Sequence, residues 1–87
     1  MRFTVDLQLV RKTLDRLSPE MRRQILYAAM TLEADPHPPG SLKLQGLDDV
    51  WRLRVGDYRI LYTVEEEQVR ILLLKIAHRR EVYRGLP

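Results

Sequence analysis

Cysteine is absent from this 87-residue chain. That absence excludes a disulfide framework, a thiolate metal site and a cysteine nucleophile together. Long apolar runs are also lacking. None reaches the roughly 18 residues a membrane span needs, and Met1 to Val5 lacks the apolar stretch of a signal peptide. A cytoplasmic protein, with no membrane among its partners, is the expectation. Histidine is scarce, with His37 and His78 the only two. His37 stands in a proline-rich loop with no second metal ligand near it, so it reads as a surface residue before it reads as a ligand. What remains is enough for one domain, residues 1–87, with a modest core. A hydrophobic content of 45% with 31% charged residues fits a globular chain, not a disordered one.

The net charge of +3 is placed unevenly. Residues 1–50 carry seven basic and seven acidic side chains, whereas residues 51–87 carry eight basic and five acidic. Three of those five acids are adjacent, Glu65 to Glu67, as in a turn. The remaining C-terminal part is strongly basic, which fits an anionic partner such as nucleic acid; a solvated cationic face is the bland alternative.

Hydrophobic periodicity orders the elements. "MRFTV" alternates and reads as a short strand. Leu7, Val10, Leu14 and Leu17 have helical spacing behind a capping Asp6. Ser18, Pro19 and Glu20 open a second helix with a cap, a first-turn proline and an acid at the positive end. Met21, Ile25, Ala28 and Leu32 form its apolar stripe. The short link predicts an antiparallel helical hairpin. "DPHPPG" then breaks regular structure. Three strand-like runs follow at about 50–55, 58–65 and 68–77, with a short helix or turn after them. The fold class expected is α+β: an N-terminal strand and a helical hairpin on a small, mostly antiparallel four-stranded sheet, in the order β-α-α-β-β-β.

"WRLRVGDYRILY" carries the central clue. Gly56-Asp57 fits a two-residue type II′ turn, which pairs Val55 with Tyr58, Arg54 with Arg59, Leu53 with Ile60 and Trp51 with Tyr62. Alternation then sends Trp51, Leu53, Val55, Tyr58, Ile60 and Tyr62 to the helices and gathers Arg52, Arg54 and Arg59 on the other face. Arg54 opposite Arg59 is a like-charge pair that costs roughly 0.2–1 kcal/mol. A bound phosphate would compensate it, and so would the chain's own Asp48, Asp49 or Glu81. A turn at Glu66-Glu67 pairs Val64 with Val69 and Arg59 with Leu74. Leu74, Ile76 and His78 would then lie on the arginine face.

"HRREVYR" closes the set. His78 is the side chain there that titrates near neutral pH, and it reads equally as an acid–base group and as a strand-end histidine bonded to backbone. Tyr83 reads as a base-stacking ring or as packing for the terminal turn. Arg79 adds charge near the cluster, while Arg80 and Arg84 read first as solvated.

Residues 42–83 resemble RelE-type toxins of the RelE/ParE superfamily. The shared features are a K-L-x-G step, an aromatic followed by alternating basic residues, a G-D-Y-R-[IV]-x-Y hairpin and a terminal H-R-x-[ED]-V-Y. The resemblance implies the toxin of a type II toxin–antitoxin pair. It implies mRNA cleavage in the ribosomal A site without metal or other cofactor, by attack of the ribose 2′-hydroxyl on the adjacent phosphate. It places Arg52 and Arg54 at paired basic positions, Arg59 on the phosphate, Arg79 at the transition-state charge or leaving group, and Tyr83 against the substrate. Lys43 and Arg80 become RNA-binding candidates beside Arg52. Implied partners are a RelB-like antitoxin, A-site mRNA and rRNA, with operator DNA reached through the antitoxin. The family often has lysine where this chain has Arg54. An arginine stays protonated and cannot serve as the base; His78 is the chemically suited acid or base there, and the other reading is a weak nuclease that relies on distortion of the substrate by the ribosome. A ParE-like gyrase inhibitor without nuclease activity, and an inactive relative acting as a repressor subunit, are the alternatives.

Overall fold

The computed structural model describes residues 2–84. In chain order the elements are β1 (Thr4–Asp6), a 3-10 turn (Gln8–Val10), α1 (Arg11–Arg16), α2 (Pro19–Thr31), β2 (Ser41–Lys43), β3 (Val50–Val55), β4 (Tyr58–Glu65) and β5 (Arg70–His78). The sheet runs β1-β5-β4-β3-β2, with β1 parallel to β5 and every other pair antiparallel. It therefore has five strands rather than four. The extra strand is β2, three residues just past the proline-rich loop, too short for alternation to reveal it.

Local chemistry places the elements. Ser18 Oγ accepts from the Met21 amide at 3.2 Å and caps α2, whereas Asp6, expected to cap the first helix, only accepts from the Gln8 amide (Oδ1, 3.0 Å) ahead of the 3-10 turn; α1 starts later, behind Val10, which has no side-chain cap. Pro19 occupies the first turn of α2, where its missing N–H costs nothing. Arg22 braces the link between the helices by donating to the carbonyls of Leu14, Asp15 and Leu17. One face of the sheet supplies Leu53, Ile60, Tyr62, Ile71, Leu73 and Ile76 to the core, against Val10, Leu14, Ile25 and Ala29. Ala29 and Leu32, not Ala28, are the fully buried small and large residues at the end of the α2 stripe.

The proline-rich loop is pinned to the sheet. The Tyr62 hydroxyl donates to the Pro36 carbonyl at 2.8 Å, and the His37 ring lies 4.1 Å from that of Trp51. Burial holds the Tyr62 phenol above its usual pKa; a hydrogen bond with Ser41 opposes that shift and Asp35 adds to it. At the other edge, Arg70 bridges Asp6 of β1 (Nη1 to Oδ2, 3.1 Å) and Glu65 of β4 (Nη2 to Oε2, 3.1 Å). No helix among the described residues is long and apolar enough to cross a membrane.

The β3–β4 register is the expected one, with Arg54 opposite Arg59 and Trp51 opposite Tyr62. Gly56 has φ +58°, which suits the first position of the type II′ turn. The β4–β5 register is different. Val64 pairs with Ile71 and Arg59 with Ala77, because the turn takes in Glu66 through Val69 and the pairing slips at Leu61/Tyr62. Leu61 faces Lys75 while Tyr62 faces Leu73, so Leu74 is the extra residue of a bulge. Val69 adopts φ +51°, a conformation a β-branched residue does not advertise. Two expectations fall with that register. Ile76 and His78 lie on the helix side, and Lys75 and Ala77 share the face of Arg59.

Candidate functional site

The hairpin β3–β4 builds the site because its turn forces the alternation. Arg52, Arg54 and Arg59 share the sheet face turned away from the helices. Arg59 is only 9% exposed, an unusual burial for a guanidinium. Its Nη1 donates back to the carbonyls of Gly56 (3.0 Å) and Tyr58 (2.9 Å). This ties one end of the fork to the hairpin's own backbone. Arg54 is exposed, and Arg52 is half-buried with its Nε enclosed and lacking a hydrogen-bond partner.

The electrostatics agree with this clustering. Burial is the largest cause drawing the Arg59 pKa below its usual range, followed by Arg54 and Arg52; Arg79 adds to the effect and Tyr83 opposes it. The guanidinium stays charged all the same. Among the described residues, no carboxylate pairs with Arg52, Arg54 or Arg59. Asp49 instead pairs with Lys43 at 3.7 Å, on the exposed surface. The cluster thus carries repulsion that no described carboxylate relieves, and guanidinium groups are planar donors suited to an anion.

The terminal segment, residues 79–84, folds back on this face. The Arg79 amide donates to the Asp57 carbonyl at 2.7 Å, and its guanidinium is 3.9 Å from the Asp57 carboxylate. Val82 is fully buried yet stands outside the core between helices and sheet. It takes the packing role, and Tyr83 keeps its ring 46% exposed. The hairpin tip thereby brings Arg79 and Tyr83 to the three arginines.

Three sequence-derived candidates lie apart from that group. His78 pairs with Tyr58 on the helix side of the sheet, ring edge to face at 5.8 Å, and its Nδ1 accepts from the Arg80 amide at 3.2 Å. Lys43 stands opposite Trp51, on the helix-facing side. Arg80 is exposed at the start of the terminal turn. One residue was missed: Lys75, whose Nζ donates to the carbonyls of Arg84 (2.8 Å) and Glu81 (3.4 Å). Only the bulge brings it to the arginine face, and no pattern in the sequence announces that bulge. Among the described residues no group of three or more His, Asp or Glu side chains is gathered as for a metal ion.

Residues 3–83 match the family model described as the ParE toxin of the type II toxin–antitoxin system parDE. The chain is 31% identical to a protein named as toxin RelE1 in Methanocaldococcus jannaschii, over 98% of this chain and 99% of that one. It is 29% identical to toxin RelG of Mycobacterium tuberculosis, covering 95% and 93%. Its fold is similar to a chain in the archaeal RelE-RelB complex from Pyrococcus horikoshii OT3, with a TM-score of 0.76, 32% identity and coverage of 94% and 100%.

Proposed function

The chain belongs to the ParE-toxin family of type II toxin–antitoxin systems, and from that premise we propose that it is a ribosome-dependent endoribonuclease that cuts mRNA. The observation that carries this reading is the buried, carboxylate-free guanidinium of Arg59 amid Arg52, Arg54, Arg79 and Tyr83. A gyrase poison has no evident need for a preorganised phosphate cradle; phosphoryl transfer has. The RelE and RelG names of the similar proteins point the same way.

In the proposed step the ribose 2′-oxygen bonds to the adjacent phosphorus and the bond to the 5′-oxygen breaks, leaving a 2′,3′-cyclic phosphate. Arg59 and Arg54 hold the phosphate and the charge that grows on its oxygens. Arg79 sits at the leaving oxygen, and Tyr83 stacks on a base. Arg52 and Arg80 contact the RNA backbone. His78 faces the helices, so the 2′-proton passes to water and the leaving 5′-oxygen takes a proton from water, in an mRNA strand already distorted by the ribosome.

The partner proposed is an antitoxin, as in the RelE-RelB complex of the archaeal relative. Tyr27 and Met30 on α2 are 73% and 60% exposed, an apolar surface suited to its docking.

The match to a ParE toxin keeps a second reading, a gyrase-inhibiting toxin of the kind that the ParE branch of the resemblance implies. Purified protein in a translation extract, assayed in parallel for mRNA cleavage and for DNA supercoiling, separates the two. Cleavage with supercoiling untouched is the expected result. Inhibited supercoiling on intact mRNA would sink the nuclease reading.

A further inference from the structure

Lys75 stands on the arginine face of β5, beside Leu61 of β4. Its ammonium reaches across the sheet to the last turn of the chain, donating to the Arg84 carbonyl at 2.8 Å and the Glu81 carbonyl at 3.4 Å. These two carbonyls bracket Val82 and Tyr83. The segment has other ties nearer its start and middle: the Arg79 amide on the Asp57 carbonyl with the guanidinium beside that carboxylate, the Arg80 amide on His78 Nδ1, and the fully buried Val82. Lys75 alone holds its far end by a side chain among the described residues.

We propose that Lys75 is a positioning residue, which locks the terminal segment over the arginine face and so sets Tyr83 and Arg79 against Arg59. The proposal rests on the nuclease reading for its catalytic consequence, though not for the anchoring itself. Its physical basis is donor count. An ammonium has three donors and no acceptor, so two carbonyls on one segment suit it, and no neutral side chain of that length replaces both bonds. Without Lys75 the segment keeps its near end and its valine, but the turn from Glu81 to Arg84 is free to fray. A ring displaced by an ångström is enough to cost a positioned reaction heavily.

The test compares Lys75→Met, which keeps the stem and loses the donors, with Lys75→Arg, which keeps both. Amide hydrogen exchange is followed through residues 79–84, where the Val82 amide is bonded to the His78 carbonyl and the Arg84 amide to the Glu81 carbonyl. Single-turnover cleavage on programmed ribosomes gives the rate and the half-saturation separately. In Lys75→Met, exchange in this segment should rise about tenfold while β3 and β4 stay protected. Maximal cleavage should fall by about tenfold or more, with half-saturation nearly unchanged. Lys75→Arg should restore both. Unchanged exchange in Lys75→Met overturns the anchoring. Faster exchange with wild-type cleavage overturns the positioning role. Faster exchange in a protein whose wild type cleaves nothing leaves the anchoring standing and sinks the nuclease reading, so the two failures are told apart.

Discussion

Arg54 and Arg59 face one another across the β3–β4 hairpin, two cations at directly paired positions that no carboxylate among the described residues pairs with. Such a pair destabilises the hairpin by roughly 0.2–1 kcal/mol. Neither residue contributes to the core between helices and sheet. Their pairing therefore makes sense as a device for binding charge, and the first prediction follows from it.

Arg59→Ala and Arg79→Ala should each lower mRNA cleavage by about a hundredfold or more, the usual consequence of deleting one donor to a developing oxyanion. Thermal unfolding should change little, since both deletions also relieve repulsion. Full activity of either variant at equal concentration would remove that residue from the site.

Glu65 gives a pH dependence whose sign can be worked out. Its hydrogen bond with Arg70 is the largest cause holding the carboxyl below its usual pKa. A depressed carboxylate pKa stabilises the fold above the unfolded value of about 4.3 and loses that contribution as pH falls through the folded value. Glu65→Gln should therefore be less stable than wild type near neutrality, and the gap should close on acidification below about pH 4. Urea unfolding of both proteins at the two pH values measures it; a constant gap would mean that the ion pair contributes nothing.

Trp51→Ala should behave as a core variant. The ring packs against the core on the helix side and carries His37 on its face. Its removal should cost about 3 kcal/mol or more, which in a domain of this size lowers the melting temperature by more than about 10 °C. A melt superimposed on wild type would contradict that packing.

Antitoxin binding should depend on two surfaces in different ways. Met30→Asp puts a charge into the exposed apolar patch of α2 and should weaken binding at every salt concentration. Arg54→Glu should weaken it mainly at low salt, where an acidic antitoxin segment would otherwise be drawn to the cluster. A titration in which only Met30→Asp loses affinity, with no salt dependence, would rule out electrostatic capping of the arginine face.

The hairpin was legible because one glycine decided it. Gly56 supplies the positive φ a two-residue turn needs, and every pairing from Val50 to Thr63 follows from that turn. The next hairpin offered no such signal. A valine took up the positive φ at position 69, and the bulge at Leu74 moved every later side chain to the opposite face. For that reason Arg52, Arg54 and Arg59 could be placed from the sequence, whereas His78 and Lys75 exchanged sides. The helix-side place of His78 and the arginine-side place of Lys75 have one cause, a single inserted residue.

The parallel pairing of β1 with β5 has a consequence for how the chain folds. Thr4 lies against Arg70, and the ion pair between Asp6 and Arg70 joins residues 64 apart. The opening strand thus has no partner until almost the whole polypeptide exists. Contacts so distant in sequence close slowly, because loop entropy must be overcome before they return anything. The β3–β4 hairpin, by contrast, is local and can form early. A chain cut short before β5 would own Arg52, Arg54 and Arg59 and lack the strand beside them. The complete sheet therefore arrives only when β5, near the end of the chain, has been made.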